Sequence, residues 1–179
     1  MNRTTLLILA VSVAGALNAQ TSALVTVGKN SYNQIKNNLL KAADKMPDDA
    51  YSFKPTPELQ SFGERVAHIA GQIGTCSNLT GERKPNPAQG KTSKADLVAA
   101  LKASFDACDA AWDSMNDTSA MEMVAGRGGA QTPKIAILIG NTLHIDEVYG
   151  TMTVYMRLKG VVPPSSEGGG MGGGKKGGI

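Results

Sequence analysis

The sequence predicts an all-α chain folded as a four-helix bundle. Four segments repeat apolar residues at spacings of three and four, loops rich in proline, glycine and asparagine separate them, and no segment reads as a credible strand. Each helix also has its own start or stop signal.

The first twenty residues, MNRTTLLILAVSVAGALNAQ, carry one arginine, an apolar run from Leu6 to Ala16, and small or polar residues ending at Ala19. That is the pattern of a secretory signal. The run is roughly half of the ~20 residues a bilayer span requires, so no stable membrane anchor is expected. Cleavage after Ala19, with the larger Leu17 at −3, would start the mature protein at Gln20 and place it in the periplasm or outside the cell. The alternative is an uncleaved helix lying in a membrane interface. Residues 20–166 then suit one compact domain. Losing Arg3 lowers the formal charge from +3 to +2, and the remaining lysines are interleaved with acids apart from Lys175 and Lys176. No basic stripe suggests nucleic acid, and four tyrosines, three phenylalanines and one tryptophan make poor stacking platforms for single strands.

The first helix is expected from Ser22 to Lys45, with Leu24, Gly28, Tyr32, Ile35, Leu39, Ala43 and Met46 on one face and Pro47 helping to end it. Lys54-Pro55-Thr56-Pro57 holds the next loop extended. Ser61-Phe62-Gly63-Glu64 matches a capping box and opens helix two, whose core stripe is Phe62, Val66, Ile69, Ile73 and Cys76. Glu82-Arg83-Lys84-Pro85-Asn86-Pro87 is a loop. Ser93 with Asp96 opens helix three, with Leu97, Leu101, Phe105, Cys108, Trp112 and Met115 on its apolar face. Thr132-Pro133 opens helix four as cap and first helical residue. That helix runs to about Lys159 and stops at Gly160. The glycine-rich stretch and Lys175-Lys176 of residues 167–179 cannot bury enough apolar surface to offset the entropy of ordering, so a disordered tail is expected.

Two cysteines on core stripes of an exported chain are candidates for pairing. Each lies fifteen residues beyond its cap, Cys76 after Ser61 and Cys108 after Ser93. Antiparallel level helices would offset them by about 15 Å, whereas a disulfide needs Cα atoms within roughly 7 Å. Parallel helices bring them level, and residues 81–92 can reach roughly 40 Å, enough for a crossover. The choice lies between a Cys76–Cys108 disulfide joining parallel helices and two buried free thiols.

The run Met46-Pro47-Asp48-Asp49-Ala50-Tyr51-Ser52-Phe53-Lys54-Pro55-Thr56-Pro57, followed by Ser61 to Ala70 with His68, resembles the first half of DinB-like superfamily proteins. The stretch His144-Ile145-Asp146-Glu147-Val148-Tyr149-Gly150-Thr151, with Gly160 to Ser165 beyond, resembles the second signature. The resemblance covers about Leu24 to Ser165. It implies a four-helix bundle with a crossover between helices two and three, often a homodimer, and in many members a divalent metal held by three histidines for transferase chemistry.

Carried over by position, the first ligand falls on His68 and the second on His144, but the third falls on Val148, which cannot bind a metal. Glu147 shares a helical face with His144 and is the candidate replacement ligand, while Asn141 shares that face and is a candidate to orient the imidazole. Glu64 lies one turn before His68, but capping competes for it. The bland reading is a pair of hydrogen-bonded histidines and a solvated Glu147. Two functions follow: a scaffold with a degenerate two-histidine site that binds zinc, nickel or manganese weakly or not at all, or a divalent-metal-dependent transferase or hydrolase using His68, His144 and a carboxylate. A groove between helices that binds a small molecule or a partner is a third possibility. Other chemistries have little support: there is no Gly-x-Ser-x-Gly elbow, no Cys-x-x-Cys-His, and Gly126-Arg127-Gly128-Gly129 lacks the strand and lysine of a phosphate loop, reading as a flexible loop. Met115, Met121, Met123, Met152 and Met156 suit packing better than copper.

Overall fold

A computed structural model describes residues 3–81 and 83–167. The elements are α1 (Arg3–Lys45), α2 (Phe62–Ala70), α3 (Ile73–Thr80), α4 (Lys94–Asp113), α5 (Asp117–Ala120), β1 (Met123–Ala125), β2 (Gln131–Pro133) and α6 (Lys134–Leu158). The glycine-lysine tail lies outside the described residues beyond Glu167. Among the described residues, no helix is long and apolar enough to cross a membrane.

Side-chain contacts fix the directions of the helices. Gly63 near the start of α2 packs against Leu97 near the start of α4, and Cys76 in α3 is bonded to Cys108 fifteen residues beyond the α4 cap. The α2–α3 arm and α4 therefore run parallel. Lys29 pairs with Asp113, and Lys94 Nζ donates to the Asp44 carbonyl at 2.7 Å, so α1 runs against α4. Gly28 lies against Ile139 and Lys45 Nζ reaches the Val162 carbonyl at 3.2 Å, so α1 and α6 are parallel. Tyr155 Oη donates to the Gln60 carbonyl at 2.9 Å and His68 meets His144, which sets α6 antiparallel to α2. The result is a bundle with two parallel pairs and the expected crossover.

Tyr32, Phe105 and Trp112 cluster between α1 and α4, with the Tyr32 and Trp112 rings stacked at 5.9 Å. Gly28 admits the indole: a Cβ there would stand 2.8 Å from Trp112. The Tyr32 hydroxyl donates to Asp109 at 2.8 Å, and Lys36 neutralises that carboxylate at 2.8 Å. Burial, followed by the nearby carboxylates, raises the Tyr32 pKa and keeps the phenol protonated. Leu39, Phe62, Val66, Ile69, Leu97, Leu101 and Trp112 are buried as expected, but Leu24 is exposed and Met115 only half-buried. Leu24 lies on the part of α1 that precedes the packed core.

Four boundaries depart from the sequence reading. The first helix begins at Arg3 rather than Ser22, because the alanine- and leucine-rich segment is itself a good helix former. Helix two is broken into α2 and α3 at Gly71-Gln72, where Asn86 of the crossover packs against Gly71 and its Nδ2 donates to the Ala67 carbonyl at 3.4 Å. The expectation of no strand is overturned by an antiparallel hairpin that pairs Val124 with Thr132. Its strands of three residues each are too short to show an alternating pattern. Gly126-Arg127-Gly128-Gly129 forms the turn, with φ of 71° at Gly128 and 82° at Gly129, where side chains are disfavoured. Pro133 ends β2 and stands immediately before α6, instead of serving as its first helical residue, and the Thr132 hydroxyl donates to Ala130 instead of capping. At the other end Gly160, at φ 72°, closes α6: its amide donates to Arg157 and that of Val161 to Met156, the paired bonds of a Schellman turn.

The Cys76–Cys108 bond closes a loop of sequence separation 32, with Cα atoms 4.8 Å apart. For a loop of that length the chain-entropy relation gives about 3–4 kcal/mol. Urea unfolding of the paired Cys76→Ser and Cys108→Ser variant should show that loss, whereas an unchanged midpoint would mean the bond restrains little.

Candidate functional site

The local sequence positions the two histidines. Ser61 Oγ accepts from the Glu64 amide at 3.2 Å, and Glu64 Oε2 accepts from the Ser61 amide at 2.6 Å, completing the capping box that starts α2. The Ser61 amide first, then the Ser61 hydroxyl and Lys54, 3.3 Å away, hold the Glu64 carboxyl below its ordinary pKa. Glu64 is thus committed to the cap. One turn on, His68 points toward α6. Buried Leu138, Ile145 and Met152 hold α6 in a register that turns His144 toward His68.

The two Nε2 atoms lie 2.8 Å apart, with ring centroids at 5.1 Å and planes at 74°. At that separation one nitrogen carries a proton and donates it to the other. His68 has its pKa lowered, first by partial burial, then by His144 and by Arg65. His68 itself is exposed.

The other candidates are distributed around this pair. Glu147 Oε2 stands 4.0 Å from His144 Nδ1, on the opposite side of the ring from His68. It can bias the imidazole tautomer from behind, but it does not converge with the two Nε2 atoms. Asn141 is buried, and its Nδ2 donates to Cys76 Sγ at 3.6 Å rather than to His144, leaving Oδ1 with no partner among the described residues. Val148, one turn beyond His144, is 5% exposed and belongs to the hydrophobic core.

These residues do not fit a three-histidine metal centre. Two imidazoles sharing a tetrahedral metal through bonds of ~2.0–2.1 Å would hold their nitrogens about 3.3 Å apart. Here the nitrogens satisfy each other at a shorter distance. Among the described residues, no group of three or more histidine, cysteine, aspartate or glutamate side chains is placed to hold a metal ion.

The family model for the DinB superfamily matches residues 32–144, a span that includes both histidines. The chain belongs to the DinB superfamily. Two solved DinB-like proteins share its fold. The one from Bacillus cereus is 22% identical, with 76% of this chain and 93% of that chain covered and a TM-score of 0.64. The one from Bacillus subtilis is also 22% identical, with 77% and 92% covered and a TM-score of 0.60. No curated protein matches.

Beside the histidine pair, the DinB bundle opens into a groove of ≈ 830 Å³ between α3, α6 and the hairpin. Gln72, Asn78 and Arg83 line one side, Gly140 the α6 side and Thr132 the hairpin. None of these was singled out as a site residue from the sequence. Gly140, a glycine inside a helix and one turn before His144, was the available signal.

A lowered His68 pKa has a definite consequence for stability. The unfolded chain takes up a proton near the ordinary value of 6.5, before the folded chain does, so this contribution is complete above that pH and is lost as pH falls through it toward the lowered folded value. The melting temperature should therefore fall between about pH 7 and pH 5, and His68→Asn should flatten that fall. Parallel curves for the two proteins would show that His68 is not responsible.

Proposed function

We propose that this DinB-superfamily protein is an exported binding scaffold whose metal centre has been reduced to a histidine pair, and that it works without a catalytic metal. The observation carrying the reading is Val148: it stands where the family resemblance implies a third histidine, and it is packed in the core rather than turned to a site. A catalytic zinc site ordinarily uses three protein ligands and leaves one position open, so two imidazoles give far weaker retention. The Cys76–Cys108 pairing suits an oxidising compartment, which supports export after cleavage near Ala19. A homodimer is part of the same proposal, on family resemblance.

A second reading has one observation in its favour. Imidazole nitrogens from two separate helices already converge, with a carboxylate behind one of them. A modest opening of the rings would let them grip a divalent ion together with a rotated Glu147, giving a transferase or hydrolase centre.

Dialysis against zinc, nickel or manganese followed by metal analysis separates the two. The scaffold reading expects well under one equivalent retained and no rise in melting temperature. Retention of one equivalent that disappears in His144→Ala would establish the metal-dependent reading instead.

A further inference from the structure

The groove beside the histidine pair has features that packing does not require. Gly140 sits in the interior of α6, where glycine is less stable than alanine, yet a Cβ built there meets nothing within 4 Å among the described residues. The glycine is therefore not imposed by a neighbour. With Ala136 one turn earlier, it leaves a strip of bare helix backbone along the groove. Leu79 and Ile137 add apolar surface to the walls. The volume of ≈ 830 Å³ falls in the range of roughly 300–1,000 Å³ occupied by small-molecule sites.

The charge of the lining is one-sided. Among the described residues that line the groove, Arg83 is the one permanently charged group and no carboxylate is present, although the chain has 15 acidic residues. Gln72, Thr75 and Asn78 lie along the same face of the α3 arm and offer neutral amide and hydroxyl donors. The Arg83 side chain lies along α3, with its Nε 3.0 Å from where a Cβ on Gly74 would stand. An anion entering the groove would meet a guanidinium and uncharged donors without an opposing carboxylate.

We infer that this groove binds a small amphiphilic carboxylate, with its flat apolar body over Ala136 and Gly140 and its carboxylate on Arg83. The inference rests on the metal-free reading of the histidine pair only in that the ligand needs no metal to hold it. Gln72 and Asn78 supply the remaining hydrogen bonds to the carboxylate. The histidine pair closes the end of the groove, its Nε2 atoms occupied with each other.

Calorimetric titration of the EDTA-treated full chain with naphthoate, naphthylmethanol and naphthylmethylammonium tests the inference. Naphthoate should bind saturably, about tenfold more tightly than the alcohol, and the ammonium more weakly than either. Arg83→Gln, a change at an exposed position, should bring naphthoate to the level of the alcohol. Gly140→Leu should abolish binding of all three without lowering the melting temperature. Equal binding of the three probes, no saturable naphthoate binding with or without zinc, or unchanged affinity in either variant would overturn the inference. Repeating the titration with zinc separates the two readings. Naphthoate binding that appears only with zinc would support the groove and overturn the metal-free reading, whereas absence of binding in both conditions would overturn the groove site alone.

Discussion

The parallel pairing of the α2–α3 arm with α4 constrains everything else in this bundle. Consecutive helices joined by a short loop pack antiparallel, so a parallel pair needs a connection that travels the length of a helix. Residues between Gly81 and Ser93 make that journey, and the disulfide locks its outcome by holding Cys76 level with Cys108. The crossover in turn sets Asn86 against Gly71, and this contact coincides with the break between α2 and α3. The α3 half of the arm follows that break. Gln72, Thr75 and Asn78 form a wall of the groove, with His68 at its end.

Much of this was legible in the sequence because the signals were local or counted in simple offsets. The Ser61 capping box is formed as expected, and equal distances from cap to cysteine made a bond between parallel helices one of two open readings, the one the fold adopts. The Pro-Gly punctuation and the apolar stripes located the four helical segments. What escaped depended on contacts between distant segments. Glycine at position 71 is tolerated in a helix, and the Asn86 contact that accompanies the break there comes from a distant segment. The hairpin is held by three pairs of residues, too few for a periodic signature, and its turn looked like flexible glycine loop.

The candidate site was legible in membership but not in arrangement. Sequence spacing placed His144 and Glu147 on one helical face, which left open whether their donor atoms converge. In the fold, Glu147 approaches one ring nitrogen while His68 occupies the other. Spacing along one helix cannot reveal such a division, since it depends on where a second helix delivers its own side chain. Asn141 likewise shares the face of His144, yet its amide turns to sulfur. The site is therefore a hydrogen-bonded pair with flanking groups rather than a convergent cage.

That amide contact links the covalent bond to the buried dipole next to it. A sulfur in a disulfide carries no hydrogen and can only accept, so the Asn141 carboxamide must turn its NH₂ toward Cys76 and its oxygen away. A free thiol, by contrast, can donate as well as accept, and the carboxamide could then sit either way round. Electron bookkeeping at two sulfurs thus sets the sense of a polar group that no charge touches, and the oxidised chain has one arrangement of this interior where a reduced chain would have two.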